Sequence, residues 1–147
     1  MSKSLNLVKY KADESGKLYE EDCELVDSVF ISPDLISKLE YYVPLVSFNV
    51  YEDSNLEEHY EIKCFPNDKT IELHSKLEEL FVTVLRHEAK NFVESATLSN
   101  SKDVGYKKDS DVGLSIDRFR TITNVIYLVK LKKEKFFNEP SVVLKLG

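Results

Sequence analysis

The chain has 147 residues, a size at which one hydrophobic core forms without help from a metal or a disulfide. A composition of 42% hydrophobic and 31% charged residues excludes wholesale disorder. The formal charge of −6, with 17 lysines against three arginines, argues against a general nucleic-acid binder, because arginine is the bidentate reader of phosphate.

The first strand is expected over Leu5 to Tyr10 and the second over Glu24 to Ile31, joined by the polar stretch ADESGKLYEED. Ser32 can cap a short helix whose first turn takes Pro33 and Asp34, and Pro44 ends it. A meander follows. Val46, Phe48 and Val50 share one face, as do Tyr60, Ile62 and Cys64, and after the turn PNDK the segment Thr70 to Leu73 reads as a third strand. A long helix is expected over 74–97, with Leu77, Leu80, Phe81, Val84, Leu85, Phe92 and Ala96 as its apolar stripe. Residues 98–114 read as an extended loop. The run FRTITNVIYLVKLKK reads as a central strand, and SVVLKLG as an edge or swapped strand. The expected fold is a single α+β domain over 1–147, in the order β-β-α-β-β-β-α-loop-β-β, with a mostly antiparallel sheet packed on one long amphipathic helix.

The helix contains His87 followed by Glu88, the opening letters of a zinc-peptidase helix, but the second histidine position is occupied by Asn91. His59, Cys64, His74 and His87 match no metal-binding spacing. The stretch DSDVGLSID places its glycine one position early for a calcium loop and puts Arg120 where a glutamate is required. With no phosphate-cradling glycine loop or nucleophile elbow, a non-enzymatic protein without cofactor or metal is expected. Cys23 and Cys64 read as buried free thiols. The opening MSKSLNLVKYKADESG lacks an apolar leader core, so the expectation is a cytoplasmic protein, or a virion component if phage-encoded, with no membrane partner.

Two features suggest sites. At 100° per residue Glu88 falls inside the apolar stripe, between Leu85 and Phe92, where a carboxylate needs a partner; Arg118 or Arg120 is expected to supply a buried ion pair. The loop offers Lys102, Tyr106, Lys107, Lys108, Asp109 and Asp111 as a contact surface. Charge is also divided along the chain. Residues 1–12 carry +3, residues 13–94 carry 20 acids against seven bases, and residues 95–147 carry +4. Such division permits contacts between copies, as do unpaired edges on the first and last strands. From Pro44 onward the element order, over about residues 44–131, is similar to that of small tail-terminator and tail-completion proteins of phages, and the similarity implies a ring-forming virion subunit. The alternative expectation is an acidic inhibitor or immunity protein, presenting segments such as YEEDCELVD and YEDSNLEEHYE to a basic nucleic-acid enzyme.

Overall fold

The computed structural model describes residues 3–53, 55, 57–97 and 103–147, with side chains described outside 95–97 and 103–117. The elements are β1 (Lys3–Ala12), β2 (Leu18–Ile31), α1 (Pro33–Tyr42), β3 (Val46–Tyr51), β4 (His59–Phe65), a short 3₁₀ turn (Asn67–Lys69), α2 (Thr70–Thr97), α3 (Asp103–Lys135) and β5 (Val142–Leu146). The class is mixed α+β, but the five strands close into a small barrel in the order β1-β2-β3-β4-β5. All neighbours are antiparallel except β2 and β3, which meet in parallel at Leu18–Val50 and Tyr19–Tyr51.

Alternation along the strands divides the core in two. Val8, Tyr10, Leu18, Val50, Ile62, Cys64 and Val143 fill the barrel. On the other face of the same strands, Leu5, Leu7, Phe65, Val142 and Leu144 pack against α1, α2 and α3. Ser32 caps α1, its Oγ accepting from the Leu35 amide at 3.2 Å, and the helix ends at Tyr42 before Pro44.

Several expectations are corrected. Thr70 to Leu73 opens α2 rather than adding a strand. The 3₁₀ turn launches the helix, Thr70 Oγ1 donates to Asn67 O at 2.9 Å, and Leu73 and Leu77 are buried at helical spacing while Ile71 is exposed. The expected loop becomes helix from Asp103 onward, and the expected central strand is the second half of that helix, α3. Ile122, Val125, Leu128 and Val129 are buried at spacings of three, three and one, so the apolar run faces the core at helical spacing. The element order from which a likeness to phage tail proteins was expected is therefore not the one present, since the third strand of the meander is the start of α2 and the charged loop and the strand after it lie in α3. The sheet also packs on three helices rather than one, with α3 longer than α2.

The first and last strands have no open edge. β1 lies between β2 and β5, and β5 between β1 and β4. The edge lies instead on β2, where residues 23–31 have β1 as their one strand neighbour among the described residues. Asp27 guards it, its Oδ1 accepting from the Ser28 amide at 2.8 Å. Cys64 is buried inside the barrel, whereas Cys23 is exposed. No described helix is long and apolar enough to cross a membrane.

Candidate functional site

The α2–α3 hairpin carries the first candidate surface. At 1.5 Å per residue, 28 residues of α2 extend about 42 Å. Among the described side chains, its buried members stop at Leu77 and those of α3 begin at Ile122. Beyond them the helices pack on each other, Phe81 meeting Phe119 edge to face at 5.6 Å between ring centroids. The structure brings Glu88 and Arg118 together, with Oε1 and Nη1 2.5 Å apart. The pair joins helix to helix and is only half buried, since the Glu88 side chain is 15% exposed and that of Arg118 63%. Arg120 is exposed and makes no ion pair among the described residues. Lys102 and the side chains of Tyr106, Lys107, Lys108, Asp109 and Asp111 lie outside the described residues.

Leu85 and Phe92 do not belong to the packed stripe. α3 covers the face of Leu80, Phe81, Val84 and Glu88, and the next face outward holds Val82 (42% exposed), Leu85 (45%), Ala89 and Phe92 (51%). These residues follow one another at spacings of three, four and three, the repeat of a coiled-coil seam. The expected stripe merged two adjacent faces of one helix. His87 is exposed on α2, its Nε2 3.2 Å from Asn91 Nδ2, and no three His, Cys, Asp or Glu side chains among the described residues are placed to hold a metal ion.

The second candidate is a groove at one mouth of the barrel, of about 350 Å³, where the β1–β2 turn, β3, the 3₁₀ turn and the start of β5 converge. Asp13 builds the turn. Its Oδ1 accepts from the Ser15 amide, the Ser15 hydroxyl and the Lys17 amide, and its Oδ2 from the Tyr19 hydroxyl. These bonds, led by Ser15 and Tyr19, hold the carboxyl down at about 2. Gly16 takes the left-handed conformation that closes the turn, at φ 87°. Lys17 then projects its ammonium over the Tyr51 ring, 4.3 Å from the centroid. Across the groove Asn67 Nδ2 donates to Pro140 O at 3.0 Å, while Asn67 Oδ1 is buried with no hydrogen-bond partner among the described residues.

A rim of aromatic and acidic groups continues from Tyr51. Tyr19, Tyr51 and His59 step across three strands at 6.0 and 5.3 Å between rings, beside a shallow concavity lined by Glu52, Glu57, Glu58, His59 and Tyr60. Nearby, β2 bulges. Lys9 pairs with Glu24 and Lys11 with Tyr19, so Tyr10 stands opposite Glu20 to Cys23, and Asp22 takes φ 60°. Burial first, then the neighbouring Tyr60, pushes the Tyr10 hydroxyl above its usual range.

Lys132 is the unexpected polar residue of the core, 2% exposed, its Nζ donating to Val142 O at 2.5 Å. Burial lowers it to about 8. The nearby Cys64 thiol is pushed up to about 11, also by burial. Neither Lys132 nor the barrel-mouth residues carried a sequence signal. Lys132 reads as a solvated lysine of LVKLKK, and Lys17 and Asn67 meet only through long-range pairing. No family model matches the chain, and no curated protein or solved structure does so either.

Proposed function

We propose that this is a non-enzymatic interaction protein that assembles with copies of itself through the apolar seam of α2. The observation that carries the reading is the exposed set Val82, Leu85, Ala89 and Phe92, at coiled-coil spacing on a helix whose adjacent face is already packed. The seam is self-complementary. In an antiparallel pair about a two-fold axis between Leu85 and Ala89, Val82 faces Phe92 of the second copy and Leu85 faces Ala89 of the second copy. Each layer then joins a larger side chain to a smaller one, as a filled core requires. Arg86 flanks the seam near that axis, so two like charges approach when the copies pair. Salt screens that repulsion, and association of this kind strengthens as ionic strength rises. Sedimentation of the wild-type chain and of Phe92→Glu at low and high salt tests the reading.

A second reading has its own support. The concavity of Glu52, Glu57 and Glu58 beside the Tyr51 and His59 rings presents carboxylates and aromatic faces together, which suits a basic protein partner of an acidic inhibitor. Such binding weakens with salt, opposite to the seam. A pull-down with a basic nuclease at two ionic strengths separates the two readings.

A further inference from the structure

Backbone alternation gives the open edge of β2 a direction. Ser4 exchanges both of its backbone bonds with Gly147, its N–H donating to Gly147 O and its carbonyl accepting from the Gly147 N–H, each at 3.1 Å. Tyr10 N–H likewise donates to Ser141 O. The even-numbered residues of β1 therefore bond to β5, and the odd-numbered ones to β2, where Leu5 stands opposite Val29 and Leu7 opposite Asp27. By the same alternation the N–H and C=O of Ser28 and Phe30 are directed away from β1, along the stretch that no second strand covers among the described residues. Ser28 is exposed, and Phe30 is 52% exposed. The Ser28 hydroxyl donates to Asn6 Oδ1, so its side chain lies back over β1 and leaves the edge clear. Among the described residues, the group that meets the outward Ser28 amide is the neighbouring Asp27 carboxylate.

The edge also has a sign. β2 carries five acids, Glu20, Glu21, Asp22, Glu24 and Asp27, and no basic residue from Leu18 to Ile31. None of the five makes an ion pair among the described residues. Pairing β2 with the β2 of a second copy would set five acids against five, so the edge refuses its own kind. A strand carrying lysine or arginine brings the charges that are lacking.

We infer that β2 takes up an extended basic segment of another protein as an added antiparallel strand, bonded to the backbone of Ser28 and Phe30, with an apolar residue opposite Phe30 and a lysine or arginine opposite Asp27. Strand addition draws its affinity from main-chain bonds and its specificity from alternate side chains. Asp27 has two settings in this scheme. In the free chain it covers the Ser28 amide. In the complex it yields that amide to a carbonyl of the incoming strand and turns to the incoming cation. The antiparallel direction lays the following residues of the segment along Glu24, where further basic side chains find a partner. The inference rests neither on the α2 seam nor on the concavity of Glu52, Glu57 and Glu58.

The test is a titration of the full-length chain, followed by amide chemical shifts and amide exchange, with the acetylated and amidated hexapeptide VTVKTK as the probe. Its first valine is placed opposite Phe30 and its first lysine opposite Asp27. Saturable shifts and slowed exchange are expected at Ser28 and Phe30. Methylating the amide nitrogens of both valines removes the donors aimed at β2 and should weaken binding about tenfold or more. Methylating those of the first threonine and the first lysine, which point away from β2, should leave it within about twofold. VTVETE should bind about tenfold more weakly than VTVKTK. Asp27→Asn, which keeps a side-chain oxygen for the Ser28 amide, should weaken VTVKTK about threefold, the effect of one exposed charge pair. The inference is overturned if no saturable shifts arise at Ser28 and Phe30. It is equally overturned if the two methylated peptides bind alike, which is adhesion by charge alone, or if VTVETE binds as well as VTVKTK or Asp27→Asn binds VTVKTK unchanged. Ser28 and Phe30 amides that are already protected in the free chain, the more so as its concentration rises, would assign the edge to a second copy and overturn it too.

Discussion

Arg118 on α3 meets Glu88 on α2 with 2.5 Å between Nη1 and Oε1, and the two partners differ fourfold in exposure, 63% against 15%. That asymmetry sets the outcome of mutation. If Glu88 is replaced by leucine, the guanidinium returns to water at little cost. If Arg118 is replaced by leucine, the more buried carboxylate loses a charge partner. Arg118→Leu should therefore destabilise by more than Glu88→Leu, with a coupling of about 1 kcal/mol in the double-mutant cycle, well below that of a fully buried pair. Urea unfolding of the four proteins checks this. Equal losses from the two single changes would mean that burial is not what distinguishes the partners.

Lys132 and Cys64 predict an unusual alkaline profile. Lys132 titrates near 8 in the fold against 10.5 ordinarily, so between those values the unfolded chain binds more protons and stability rises with pH. Cys64 is shifted from 9.0 to about 11, so there the folded chain binds more protons and stability falls as pH rises through that window. The sum is a rise from about pH 8 to 9 followed by a plateau, where the two effects oppose each other. Cys64→Ala should extend the rise to about pH 10.5, and Lys132→Met should abolish it. Urea midpoints measured across this range decide the matter.

Asp13 gives the opposite end of the profile. Its carboxyl lies near 2 against an ordinary 3.8, so its contribution is complete above 3.8 and is lost as pH falls through about 2. Asp13→Ala should loosen the turn that carries Lys17, seen as faster amide exchange at Ser15 and Lys17, and the acid-side loss should shrink. Unchanged exchange at these amides would show that Gly16 and the strand pairing hold the turn without the carboxylate.

How much of this was legible in the sequence depended on range. Ser32, Pro33 and Asp34 act within one turn of helix and marked α1 correctly. Val46, Phe48 and Val50 alternate as a strand with one solvated face must, and β3 and β4 lie where expected. Residues 118–132 misled because Thr121, Thr123, Val125, Ile126 and Val129 are β-branched and the run reads as apolar on both faces; Tyr127 stands on the exposed side of the helix and the buried Lys132 on its inner side, and both blur the amphipathic pattern. The acidic start of β2 has no alternating pattern, because a bulge places Glu20 to Cys23 opposite the single residue Tyr10. The groove was illegible for a different reason. Its parts come from positions 16, 48, 67 and 140, brought together only when β5 closes the barrel.

The exposed face of α2 also predicts where mutation is silent for folding. Leu85→Glu and Phe92→Glu should leave monomer stability within about 0.5 kcal/mol, because neither side chain is buried in the single copy. Leu77→Ala, at a fully buried position on the same helix, should cost about 2–5 kcal/mol. Thermal or urea unfolding at low protein concentration makes the comparison. A large loss from Phe92→Glu would place that ring in the fold rather than at a contact surface.

The most direct test of the assembly account is sedimentation equilibrium of the wild-type chain and Phe92→Glu over a range of protein concentration, each at low and high salt. The account predicts that the wild type is heavier than a monomer, that its association tightens with salt, and that Phe92→Glu is a monomer throughout. A wild-type chain that stays monomeric at every concentration and salt, or an association that survives Phe92→Glu unchanged, would contradict it.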